Sequence, residues 1–316
     1  MANIVVTGGA GFIGSHIVEE AAKRGDKVIV YDDLHSGYKA NIEPFMRAYG
    51  VRFVQGDIMD EKKMAKLFAG VDSVFHLAAL ISVPESMAMK AQYVRINTIG
   101  TLHVLEAVRK AGVANIVLSS SAAIYGDNPT VPKKEQMIPE PKSPYAVTKL
   151  DGEYYFQMYR AGHGINATAL RYFNVFGPRQ DPKSQYAAAI PIFVAKAIAN
   201  EDITVFGDGE QTRDFIYVKD IVQGNLLAAA KGGDVFNVAW GKKITINDLA
   251  KKIIAITGSK SKVVHLPERP GDIRHSMADN TKIVHTLGFK QTTDLDTGLA
   301  ATVEYFVKRM GKGNIK

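Results

Sequence analysis

Gly8, Gly11 and Gly14 fall three residues apart, directly after the apolar run Ile4–Thr7. Glycines at that spacing let the backbone turn sharply out of a strand and approach a neighbour closely. The apolar periodicity from Ile13 to Arg24 predicts a helix opening at the turn, and Gly25 ends it. Strand, glycine turn and helix in that order expose backbone N–H groups at a helix N-terminus. This is an arrangement suited to a pyrophosphate. The turn differs from the commoner G-x-G-x-x-G spacing, but its mechanics are similar.

The alternation continues along the first half. Lys27–Tyr31, Val51–Val54, Ser73–Leu77 and Ile116–Ser119 read as strands, with helices at Glu61–Phe68 and Val94–Lys110. This order predicts an α/β fold, a parallel sheet with helices on both faces. Ligands of such sheets bind beyond the carboxyl ends of the strands. Beyond Arg171 the pattern is less regular. Ala187–Ala199, Asp220–Ala230, Asn247–Thr257 and Asp296–Lys308 read as helices, Ile203–Phe206 and Val235–Val238 as short strands.

Candidate binding residues lie where that rule puts them. Gly8, Gly11, Phe12, Ile13 and Gly14 form the turn and the helix start. Asp32 follows the second strand, eighteen residues after Gly14. A carboxylate there accepts from both ribose hydroxyls and repels a 2′-phosphate, and Asp33 doubles the charge. NAD is therefore favoured over NADP. Asp57 and the Ile58 backbone follow the third strand and suit an adenine amine. An ordinary Asp turn accounts for them too. Leu77, Ala78 and Ala79 follow the fourth strand, where small residues permit close approach.

Tyr145 and Lys149 are four residues apart. Ser143 and Pro144 suit a helix start, since Ser caps orphan amides and Pro fits the first turn. The phenol and ammonium then share one helix face. A neighbouring positive charge favours the phenolate and prepares a general base. The same pair also occurs on solvated helix faces.

With 316 residues, 46% hydrophobic and 22% charged, the chain matches an ordinary soluble protein with a large domain and room for a smaller lobe. No apolar run approaches the ~18 residues of a membrane span, and the N-terminus lacks a signal-peptide pattern. The chain has no cysteine, which excludes disulfides and thiolate metal sites and fits a cytoplasmic location. No metal-ligating set is read elsewhere. The net charge of +7 sits partly in the tail Lys308–Lys316 and reads as a solvated basic face. No basic stretch is interleaved with aromatics, so neither nucleic acid nor membrane is expected as a partner.

The segments Thr7–Gly14, His76–Ala79, Ser119–Gly126 and the Tyr145/Lys149 pair resemble, in order and spacing, the extended short-chain dehydrogenase/reductase family. Within it the chain is similar to the UDP-hexose 4-epimerases, through Arg171–Gln180, Phe206–Phe215 and Arg269–Asp272. The resemblance implies a Rossmann-like doubly wound parallel sheet over residues 1–170. It implies a smaller C-terminal α/β substrate lobe over 171–316, with segments crossing back. It also implies bound NAD, a UDP-sugar substrate and a homodimer.

The resemblance further implies roles for single residues. Tyr145 would be the base. Lys149 would lower its pKa and bind the nicotinamide ribose, and Ser121 would bond the sugar 4-oxygen. Ser119, Asn97 and Tyr172 would lie at the cofactor. By composition Ser119 and Ser120 compete with Ser121, and a helix cap explains Asn97 almost equally well. Asn174, Arg213, Arg269, Asp272 and Ser276 would hold the sugar nucleotide.

Several reactions share this chassis. Dehydratases of the family carry an Asp-Glu pair directly after the catalytic hydroxyl residue, because eliminating water needs an acid and a base. Here those positions are Ala122 and Ala123. This implies 4-epimerisation through a 4-keto sugar. A UDP-glucuronate epimerase or decarboxylase and a non-catalytic NAD-binding regulator are the alternatives. In the epimerases the residue seven positions after Arg269 gates the sugar C2 pocket. Ser276 stands there, and a small residue implies N-acetylated as well as plain hexoses. An uninvolved loop serine is the other reading.

Overall fold

The computed structural model describes residues 1–182, 188–268 and 273–311. The first half runs β1 (Asn3–Thr7), α1 (Phe12–Lys23), β2 (Lys27–Asp32), α2 (Glu43–Tyr49), β3 (Arg52–Gln55), α3 (Glu61–Leu67) and β4 (Ser73–His76). Helices α4 (Val83–Ala88) and α5 (Lys90–Tyr93) follow, and a π-helical turn over Val94–Ile99 joins α5 to α6 (Gly100–Ala111). Next come β5 (Asn115–Ser121), α7 (Pro144–His163) and β6 (Asn166–Tyr172). The second half contains β7 (Asn174–Phe176), α8 (Ala189–Ile198), β8 (Ile203–Phe206), β9 (Thr212–Arg213), β10 (Phe215–Tyr217) and α9 (Val218–Lys231). It ends with β11 (Val235–Val238), β12 (Ile244–Thr245), α10 (Ile246–Thr257), β13 (Val263–Leu266), α11 (Thr281–Leu287) and α12 (Leu295–Gly311).

Seven strands form one parallel sheet in the order β11-β6-β5-β4-β1-β2-β3. The order reverses between β1 and β4, which makes a crevice at their carboxyl ends. One face of the sheet is covered by a core including Ile17, Val18, Ala21, Ile221 and Val222 from α1 and α9. The other is covered by Met64, Val104, Leu105, Val108 and Phe156 from α3, α6 and α7. The doubly wound architecture expected from the sequence is therefore present. Among the described residues, no helix is long and apolar enough to cross a membrane.

The second half packs its own core, with Phe193, Val194, Val205, Phe215, Leu249, Ile253 and Leu299 at its centre. Around it β7 pairs with β10, β8 with β13 and β9 with β12. Strand β11 crosses back to pair with β6 in the main sheet. A dividing line at residue 170 falls inside β6.

The chain leaving β7 is clamped onto α1. Arg179, at φ +68°, donates to the Ser15 carbonyl (3.1 Å) and to His16 Nδ1 (2.6 Å), and it pairs with Glu19. His16 Nε2 meets the Pro178 carbonyl at 2.9 Å, and burial holds that imidazole neutral, with its pKa lowered to about 3. The helix that begins at the glycine turn thus also anchors the crossing into the second half.

Candidate active site

The glycine turn is sterically dictated. Gly8 lies at φ +70°, and a Cβ on it would stand 2.6 Å from the Ala78 nitrogen. A Cβ on Gly14 would stand 2.2 Å from the Gly8 carbonyl oxygen. Gly11 begins α1 in an extended conformation, and among the described residues no side chain caps the helix there. The amides at Phe12, Ile13 and Gly14 thus open the helix toward the crevice, where an anion is favoured. Thr7 and His76 close the floor. Their side chains meet at 2.8 Å, and His76 also meets Thr101 at 2.9 Å. Burial, with a lesser push from the Lys149 charge, takes the His76 pKa down to about 3.

Asp32 is buried at the end of β2. Its Oδ2 accepts from the Ala10 amide (2.9 Å) and its Oδ1 from the Leu34 amide (2.8 Å). Burial raises its pKa and those two donors pull it back. The carboxylate is fixed against the glycine turn with lone pairs left for a ribose. Asp33 and Asp57 are exposed, and each spends one oxygen on a local turn, at the His35 and Met59 amides (2.9 Å each). The Ile58 side chain is buried in the core over Gly100. Leu77 and Ala78 are tied to Thr7 by their amides (3.0 and 3.4 Å), and Ala79 follows them along the same edge.

Asn97 is neither a helix cap nor a free polar group. It is buried within the π-helical turn. Its amide donates to the Leu80 carbonyl (2.9 Å) and to Thr148 Oγ1 (3.1 Å), and its oxygen accepts from the Leu80 amide (2.8 Å). It therefore fastens the stretch after Ala79 to α7. A π-turn at such a junction is a common mark of a functional site.

Helix α7 starts as the sequence predicts. Ser143 Oγ accepts from the Ala146 amide (3.2 Å), and Pro144 occupies the first turn. Tyr145, Lys149 and Glu153 follow at intervals of four, so they share one face. That face meets the end of β5. Lys149 Nζ donates to the Ser119 carbonyl (2.8 Å) and lies 5.8 Å from the Tyr145 ring centroid. Burial lowers the Lys149 pKa to about 8.

Burial raises the Tyr145 pKa, and a hydrogen bond with Ser121 is what draws it back down. The Lys149 ammonium, bonded to the Ser119 carbonyl, lies on the same face of the helix. Ser121 Oγ also accepts from the Ala123 amide at 3.1 Å.

Ser120 serves a different purpose. It donates to the buried Glu153, which is paired with the buried Arg171 at 2.7 Å. Arg171 Nη1 continues to the Tyr125 hydroxyl (2.8 Å), which donates to Asn237 Oδ1 (2.7 Å). This polar chain joins α7, β5, β6 and β11 behind the site. Glu153 and Tyr125 were not among the candidates. The interval of four from Lys149 to Glu153 was the available signal.

Tyr172 departs from its expected place. It is buried in the α1/α9 core, and its hydroxyl donates to Asn225 Oδ1 at 2.8 Å. Successive strand residues face opposite sides. With Arg171 directed to α7, Tyr172 must face α9, away from the phenol.

The candidate substrate residues of the second half lie on β7, on β9 and in the segment between β13 and α11. Asn174 is exposed on β7, and its amide donates to the Asp214 carbonyl (3.2 Å). Arg213 on β9 donates to the Thr212 carbonyl at 3.0 Å. The Ser276 amide donates to that same carbonyl at 3.1 Å, so Arg213 and Ser276 are held side by side. Arg269 and Asp272 lie outside the described residues.

The residues at the crevice fit NAD. A Cβ at Gly8 or Gly14 would fill the backbone cradle, α1 opens onto it, and Asp32 stands where a ribose would lie.

Residues 4–239 match the family described as NAD dependent epimerase/dehydratase. A putative UDP-glucose 4-epimerase of Methanocaldococcus jannaschii is 38% identical over 304 residues, covering 96% of this chain and 97% of that one. Two solved structures each superpose with a TM-score of 0.93 at 42% identity, covering 98% of this chain and 99% of theirs. One is a UDP-N-acetylglucosamine 4-epimerase from Methanobrevibacter ruminantium in complex with UDP-N-acetylmuramic acid. The other is a UDP-glucose 4-epimerase from Thermotoga maritima with UDP-glucose. With a matching fold, a glycine cradle at its crevice and a family match spanning most of its length, this chain belongs to the NAD dependent epimerase/dehydratase family.

Proposed function

We propose that the protein is a UDP-hexose 4-epimerase that interconverts UDP-glucose with UDP-galactose and UDP-GlcNAc with UDP-GalNAc. The observation that carries this reading is the Tyr145–Ser121 pair followed by Ala122 and Ala123. Tyr145 is then the proton carrier, and no acid or base stands in the two positions that dehydration requires. Bound NAD would accept hydride from the sugar C4 and return it to the opposite face. Tyr145 takes the 4-hydroxyl proton as the 4-keto sugar forms and gives it back on reduction. Ser121 holds the phenol and the sugar 4-oxygen on one line. Lys149 anchors the end of β5 and presents its remaining protons to the nicotinamide ribose. Arg213 supplies a planar cation for the diphosphate.

Ser276 sets the substrate range in this reading. Its side chain is small and partly buried beside Thr212, leaving room at the sugar C2 substituent. Purified protein should convert both pairs of sugars. Ser276→Tyr should lower kcat/KM for the N-acetyl pair by about 10-fold or more, because inserted bulk in a packed site costs ~1–3 kcal/mol. The plain pair should change little. Equal effects on both pairs would remove Ser276 from the pocket.

A further inference from the structure

Asp214 lies at the junction of four segments that are distant in sequence. Its side chain is fully buried between β9 and β10. Oδ1 accepts from the Trp240 amide (2.8 Å), and Oδ2 accepts from the amides of Gly241 (3.0 Å) and Ala278 (3.1 Å). Its main-chain carbonyl accepts from the Asn174 amide at 3.2 Å. Three of the four segments carry a candidate substrate residue, and the Trp240–Gly241 loop is the fourth. Arg213 directly precedes Asp214, Asn174 is bonded to it, and Ser276 lies two residues before Ala278. The Ser276 amide closes the ring at the Thr212 carbonyl, and Thr212 Oγ1 meets His275 Nδ1 at 3.0 Å.

We infer that Asp214 is a positioning residue that sets the geometry of the nucleotide end of the substrate cleft. The inference rests on the reading of this cleft as a UDP-sugar site. All three side-chain partners are backbone amides, so the carboxylate orders main chain rather than neutralising a cation. An apolar side chain would fill the same space without burying a charge, and burying one is costly. What the carboxylate adds is three directed bonds, which tie the Trp240–Gly241 loop and the loop carrying Ser276 to the segment that follows Arg213. The bonds of the cofactor end, at Gly8, Asp32, Asn97 and Lys149, run through other residues.

Asp214→Asn keeps the shape but turns an amide NH₂ against an N–H donor. The KM for UDP-galactose and the Kd for UDP should therefore rise by about 10-fold or more. The kcat at saturation and the retained NAD should stay near the wild-type values. Ala278→Pro removes one donor and leaves two bonds in place, so it gives an independent reading. It should shift KM in the same direction by less. A folded variant with unchanged KM and Kd overturns the inference. So does a parallel fall in kcat, NAD content and melting temperature, and so does failure of both variants to fold. Each of these would make Asp214 a stability residue only. Wild-type protein that binds no UDP would instead contradict the reading of the site, and that is measured before either variant.

Discussion

Tyr145→Phe is expected to lower kcat by about 10²–10⁴-fold while UDP-galactose still binds, the range typical of removing one general acid–base group. The phenyl ring keeps the packing of the first turn of α7 and deletes only the hydroxyl that meets Ser121. Ala122 and Ala123 offer no substitute proton carrier. The pH profile adds a second reading. Burial raises the Tyr145 pKa and Ser121 opposes it, so wild-type kcat should climb with pH as the phenol ionises. The variant should be flat across the same range. An unchanged kcat would remove Tyr145 from the chemistry. A lost affinity for the sugar nucleotide would make it a binding residue instead.

Arg171→Leu should lower stability by about 3–5 kcal/mol in equilibrium denaturation, because it leaves a buried carboxylate unpaired. Arg171 and Glu153 are both almost fully buried and meet at 2.7 Å. Ser120 and Tyr125 hang on the same pair. Removing the guanidinium leaves the buried Glu153 carboxyl with Ser120 as its remaining hydrogen-bond partner. Neutralising both members, as Arg171→Met with Glu153→Gln, should recover most of the loss, since well-packed neutral replacements of buried pairs are often tolerated. If the double variant is no better than the single one, the cost lies in the shape of Arg171 rather than in the stranded charge.

The main sheet was legible because its strands β1 to β5 are short apolar runs separated by helix signals. The glycine turn was legible because only glycine fits against the Gly8 carbonyl and the Ala78 backbone. Strand β6 was not read as a strand. Its sequence, Asn166 to Tyr172, carries Arg171, and a charge in a central strand argues against burial until its partner is known. That partner, Glu153, comes from another element, eighteen residues away. Tyr172 was misplaced for a related reason. Without the strand, nothing said that Arg171 and Tyr172 face opposite sides. Asn97 and Lys149 were recognised as residues, but their bonds were not. Leu80, Thr148 and Ser119 come to them only through the packing of α7 against the π-turn and β5. Asp214 gave no local signal, because its three side-chain partners are amides contributed by distant loops.

The proposed reaction oxidises C4 and returns the same hydride to it within one site. It is tested most directly by incubating purified protein with UDP-galactose deuterated at C4, without added NAD, and analysing the products by NMR. The expected product is UDP-glucose that keeps its deuterium at C4. Loss of the label to solvent, accumulation of a keto sugar or a requirement for stoichiometric NAD would contradict it.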